Sequence, residues 1–125
     1  MIGLIGDTEK SMQDTIDFAK ELNIDIAQFT LATPYPGTRM WDMIEKDGEL
    51  LIKDWDDFHH TAGKMMYKYP GTAEPEVVER MYKKAHKEFY LRPKYILSRI
   101  PTLTSFSKLR FYIRGAKTVF EIGGG

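Results

Sequence analysis

Gly3-Leu4-Ile5-Gly6-Asp7-Thr8 and Thr33-Pro34-Tyr35-Pro36-Gly37-Thr38 are two short turns, each preceded by an apolar run and each opening into a helical pattern. Residues 1–5 are apolar apart from Gly3, and residues 24–31 place Ile24 and Ile26 in alternation before Phe29 and Leu31 shift the phase. Both runs read as strands. Between them Met12, Ile16, Ala19 and Leu22 recur at helical spacing, so a helix is predicted over 8–22, with Thr8 as N-cap, Ser11 three positions on and Asn23 as a left-handed stop. Strand, helix and strand of these lengths predict a βαβ unit and an α/β fold class, α+β-like where the piece stands alone. Turns at the C-terminal ends of parallel strands are where such folds hold ligands, because backbone N–H groups and helix N-termini converge there.

Outward from this unit, Thr38 predicts a short capped helix through Met40, Trp41 and Ile44 that stops at Gly48. Residues 49–72 are the least regular, with a strand expected over 64–69. Pro75 fits the first position of a helix over 75–91, whose buried stripe is read as Val78, Tyr82, Ala85 and Phe89. Arg92-Pro93 ends that helix, and Phe106, Leu109, Ile113, Ala116 and Phe120 predict another over 105–121. The organisation expected is 1–48 as strands and helices, 49–72 as connector, and 73–125 as a basic helical extension. No internal repeat or low-complexity segment is evident.

The 125 residues are 42% apolar and 13% aromatic, which excludes a disordered tail, and no apolar run reaches the ~20 residues of a membrane span. There is no signal-peptide pattern, and a cytoplasmic location is expected. The absence of cysteine excludes any disulfide, thiolate metal site or iron–sulfur ligation by these residues. A zero net charge hides an asymmetry: residues 1–60 carry 13 acids and five bases, residues 61–125 the reverse. Arg92, Lys94, Arg99, Lys108, Arg110, Arg114 and Lys117 form an acid-free block, read either as a solvated helix face or as a surface for an anionic partner. A membrane surface or an acidic protein is the non-enzymatic alternative; nucleic acid is disfavoured, since no binding motif accompanies the basic residues.

Gly3 and Gly6 suit close backbone approach, and the turn beside them offers N–H groups at a helix start. The two prolines flanking Tyr35 stiffen the second loop, and Gly37 gives it conformational freedom. His59 and His60, beside Asp54, Asp56 and Asp57, read as a polar surface loop rather than a metal site, and no metal ligand is assigned.

Gly3-Leu4-Ile5-Gly6-Asp7-Thr8-Glu9-Lys10-Ser11, a helix, and then Ala27-Gln28-Phe29-Thr30-Leu31-Ala32-Thr33-Pro34-Tyr35-Pro36-Gly37-Thr38 resemble the late barrel strands of radical S-adenosylmethionine enzymes. Phe89-Tyr90-Leu91-Arg92-Pro93-Lys94-Tyr95-Ile96-Leu97 resembles the C-terminal extension of their cobalamin-binding branch, which includes anaerobic magnesium-protoporphyrin monomethyl ester cyclase-like proteins. The resemblance covers about residues 1–100. It implies that Gly3, Ile5, Gly6 and Glu9 lie along the adenine of S-adenosylmethionine, with the second glycine one position early. It also implies that Tyr35 and Gly37 stand at the barrel mouth near cofactor or substrate.

The resemblance further implies that the whole protein is an oxidoreductase or methyltransferase using S-adenosylmethionine, a 4Fe-4S cluster and cobalamin on a small-molecule substrate. These residues hold no cofactor alone: the Cys-x-x-x-Cys-x-x-Cys motif is missing, and two strands are a quarter of the eight in such a barrel. The chain is expected to be the end of a longer protein, with the rest of that chain as partner. Alone, its three longer helices are expected to cover a two- or three-stranded sheet, or its strand edge to form a homodimer.

Overall fold

The computed structural model describes residues 1–22, 24–52, 63–93 and 95. Chain order is α1 (Glu9–Glu21), α2 (Arg39–Asp47), β1 (Glu49–Leu50), β2 (Tyr67–Lys68) and α3 (Pro75–Tyr90). It is a mixed helix-and-sheet arrangement, in agreement with the α/β class expected.

Helix starts follow the local chemistry. Thr8 caps α1 reciprocally with Ser11: the Ser11 N–H donates to Thr8 Oγ1 and the Thr8 N–H to Ser11 Oγ. Thr38 caps α2 through the Trp41 N–H. Pro75 opens α3, where its missing N–H costs nothing. α2 ends at Gly48, but not in a left-handed conformation: its φ is −125°, and a Cβ there would stand 2.7 Å from the Lys68 carbonyl oxygen. Glycine is needed at that position for close approach. The expected stop at Asn23 lies outside the described residues.

The strands differ most from expectation. Residues 1–5 and 24–31 do run parallel, but their ladder is a single bridge between Ile2 and Leu31. It is closed by the Ile2 N–H donating to Thr30 O and the Ala32 N–H to Ile2 O, both at 2.9 Å. Gly3 and Gly6 turn the chain to φ +76° and +87° immediately afterwards, so pairing cannot propagate. The named sheet is instead the antiparallel pair β1–β2, with Glu49 opposite Lys68 and Leu50 opposite Tyr67. The expected strand over 64–69 thus narrows to two residues, and its partner lies in what was read as irregular connector.

One core joins these pieces: Ile2, Met12, Ile16, Phe29, Ile44, Met65, Tyr67, Val78, Met81, Ala85 and Phe89 are all buried. Each large apolar side chain fully removed from water contributes ~1.5–3 kcal/mol before entropy is set against it. α1 lies against α3, with Glu9–Arg80 (2.9 Å) and Lys20–Glu88 (2.7 Å) bridging the pair at opposite ends. Two stripe residues are corrected. Leu22 is exposed past the end of α1, and Met81 takes the buried place expected of Tyr82, which is half-buried.

Tyr90 donates its hydroxyl to the Ala27 carbonyl at 2.8 Å. Arg92 donates to the Lys20 carbonyl at 2.6 Å while its guanidinium stacks 4.2 Å from the centre of the Phe89 ring. A cation at the C-terminal carbonyls of α1 is favourably placed against the helix dipole. One member of the basic block is therefore engaged internally. Arg99 to Lys117, the predicted helix over 105–121, and Asp54 to His60 lie outside the described residues. No helix among the described residues is long and apolar enough to cross a membrane.

Candidate functional site

The chain reverses between Leu4 and Asp7, where the Asp7 N–H donates to Leu4 O at 2.9 Å across Ile5 and the positive-φ Gly6. A non-glycine residue at Gly6 would be strained, as the third position of a type II turn requires. The Asp7 carboxylate braces the same turn, accepting from the Leu4 N–H (2.9 Å) and from Ser11 Oγ (2.8 Å). A sequence-distant segment then closes over it. The Gly6 N–H donates to Thr72 Oγ1 at 2.9 Å, the Ala73 N–H to Asp7 O at 2.8 Å, and the buried Tyr67 hydroxyl to Gly3 O at 2.6 Å.

The N–H groups of Leu4, Gly6, Asp7, Thr8 and Ser11 therefore all donate within the protein. The side of Gly6 that a side chain would occupy is open: a Cβ built there meets nothing within 4 Å. Gly3 differs, since a Cβ there would lie 2.5 Å from Val78 Cγ1 and 3.3 Å from the Met65 sulfur. Its missing side chain makes room for the core. Ile5 packs partly against that core, and the Glu9 carboxylate is paired with Arg80 on α3. Burial, with the Asp7 carboxylate adding to it, pushes the Tyr67 hydroxyl well above the ordinary tyrosine range, so it stays a hydrogen-bond donor.

The second turn is built locally. Pro34 is buried beneath it while Tyr35, Pro36, Gly37 and Thr38 are exposed. The Thr38 N–H and hydroxyl both donate to Tyr35 O, at 3.1 and 2.6 Å, across Gly37 at φ +80°. A Cβ on Gly37 would also meet open space. Of the six candidate residues, Gly6 and Gly37 thus present open backbone, Tyr35 stands exposed between the prolines, Ile5 and Gly3 underpin the first turn, and Glu9 ties two helices together.

Thr72, Tyr67 and Asp7 are the residues that sequence reasoning passed over. A signal existed: Tyr-Pro-Gly-Thr occurs twice, at 35–38 and 69–72. The second copy adopts the same turn, with the Thr72 N–H donating to Tyr69 O at 3.1 Å and Gly71 at φ +77°. Among the described residues no group of His, Asp or Glu side chains is arranged to hold a metal ion.

No family model and no solved structure matches the chain. Over 100 residues it is 39% identical to an uncharacterized methyltransferase of Pyrococcus horikoshii, a match that covers 80% of this chain and 21% of that protein. It is 32% identical over 53 residues to a bacteriochlorophyllide d C-8(2)-methyltransferase of Chlorobaculum tepidum, covering 42% of this chain and 12% of that one. It is 36% identical over 58 residues to the bacteriochlorophyllide d C-12(1)-methyltransferase of the same organism, covering 46% and 12%. The chain spans about a fifth of the first relative's length. Its homologues are methyltransferases.

Proposed function

We propose that this chain is the C-terminal part of a radical S-adenosylmethionine methyltransferase of the cobalamin-binding branch, where its two strand-end turns form part of the cofactor and substrate wall. The observation that carries this reading is the 39% identity over 100 residues to a methyltransferase. Relatives named for methyl transfer favour that outcome over oxidation or the cyclisation of magnesium-protoporphyrin esters.

On this reading two places suit the cofactor. The open faces of Gly6 and Gly37 leave room for a flat ring or ribose to lie on the backbone. Ile5 gives the first turn an apolar backing. When bound, S-adenosylmethionine supplies a methyl group activated on a sulfonium centre. The 4Fe-4S cluster belongs to the proposed whole protein, because a chain without cysteine offers no thiolate to hold it, and cobalamin is assigned there with it. Its partner is then the rest of that protein.

The test begins with the coding sequence upstream of Met1. An in-frame Cys-x-x-x-Cys-x-x-Cys, together with anaerobic purification of the full-length product with bound iron and sulfide, supports the reading. A stop codon directly before Met1 overturns it.

A further inference from the structure

We propose that Thr72 is a positioning residue for the ligand at the first turn: its hydroxyl fixes the Gly6 peptide so that the open face of Gly6 is held toward the ligand. This rests on the proposed binding of S-adenosylmethionine there. Three bonds hold the turn from the 67–73 segment, and they differ in kind. Tyr67 to Gly3 O is buried, and Ala73 to Asp7 O uses only backbone, so both belong to the packing of the fold. Thr72 to the Gly6 N–H is the one made by a half-buried side chain to the residue whose Cβ position is empty.

The chemistry at 69–72 supports a dedicated role. In the sister turn the threonine hydroxyl accepts from Trp41, three residues ahead, and starts a helix. In the second turn the corresponding hydroxyl accepts from a residue 66 positions away, and α3 begins at Pro75 without any side-chain cap. Thr72 stands two residues before the Glu74 cap position of α3, so its hydroxyl takes no part in starting that helix and is directed to Gly6. A peptide free to rotate at a positive-φ glycine would present many orientations to a ligand, and fixing it beforehand lowers the ordering cost of binding.

The experiment uses the full-length protein with Thr72→Val, which keeps the shape and deletes the acceptor, and Thr72→Ser, which restores it. Two readings are taken: hydrogen exchange of the Gly6 amide, and the dissociation constant of S-adenosylmethionine by equilibrium titration. Thr72→Val is expected to speed Gly6 exchange about tenfold and weaken binding about three- to tenfold, with Thr72→Ser within twofold of wild type in both. Unchanged affinity in Thr72→Val, or failure of Thr72→Ser to restore it, overturns the proposal. So does faster exchange throughout α3, which would mark a general loosening. A wild-type protein that does not bind S-adenosylmethionine instead overturns the functional reading, while Gly6 exchange still decides whether Thr72 fixes the peptide.

Discussion

Tyr35-Pro36-Gly37-Thr38 and Tyr69-Pro70-Gly71-Thr72 share four residues, one backbone turn and nearly one glycine φ (+80° and +77°), yet their threonines serve different ends. Thr38 looks forward along its own chain and caps α2; Thr72 looks across the fold and holds Gly6. Proline at the second position and glycine at the third fix the turn through dihedral preferences alone, so both copies form it. The role of each threonine is set by its surroundings: the chain just beyond the turn and the segment packed against it. The residues after Thr38 leave its hydroxyl facing the Trp41 amide. The first turn, brought over the 67–73 segment by the burial of Ile2, Tyr67 and Val78, sets the Gly6 amide before Thr72.

The contrast between the two turns breaks most severely at the base of the tertiary arrangement. Gly3→Ala adds a carbon 2.5 Å from Val78 and strains φ +76°, and is expected to destabilise by ~2–4 kcal/mol in urea unfolding, overpacking and left-handed strain together. A loss below ~1 kcal/mol would mean that the core yields at Val78 more readily than its burial implies.

Tyr67→Phe leaves the Gly3 carbonyl without its buried donor and should cost ~1–3 kcal/mol. Exchange at residues 3–8 should rise with it, whereas protection around Thr38 should not. Equal loosening of both turns would show that they are not separately held.

Gly37→Ala and Gly71→Ala sharpen the contrast, because neither added carbon meets an atom within 4 Å and both are strained alike. Each should cost ~1 kcal/mol from the left-handed backbone. Only Gly71→Ala is expected to alter Gly6 exchange; the same response in Gly37→Ala would contradict the separate roles of the two turns.

The smallest effect lies at the far end of α1. The Lys20 ammonium, hydrogen-bonded to Glu88, holds that carboxyl below its ordinary value. A carboxylate depressed by folding contributes stability above its unfolded pKa, and that contribution is lost as pH falls through the folded value. Wild type should therefore lose ~0.5–1 kcal/mol relative to Glu88→Gln as pH falls from ~6 to ~3, discounted for a pair about one-third exposed. Parallel pH curves for the two proteins would show that the pair contributes nothing.

Much of the local structure was legible. The Thr8–Ser11 box, Thr38 as cap, Pro75 at the start of α3 and the turn at Gly37 all depend on atoms within four residues, and those contacts form whatever the distant chain does. Helical stripes were legible in outline, though Met81 displaced Tyr82, because the direction of neighbouring elements decides which edge of a stripe is covered.

Four features depended on tertiary structure alone: the collapse of the expected parallel ladder to one bridge, the β1–β2 pairing, Arg92 at the end of α1, and Thr72 on Gly6. Arg92 reaches a partner 72 positions away and Thr72 one 66 away. The sequence by itself determined the turns and helix starts, since φ preferences and capping bonds act over a few residues. Only the tertiary structure decided which turn bears on which, since a hydroxyl or guanidinium takes the partner that core packing sets before it.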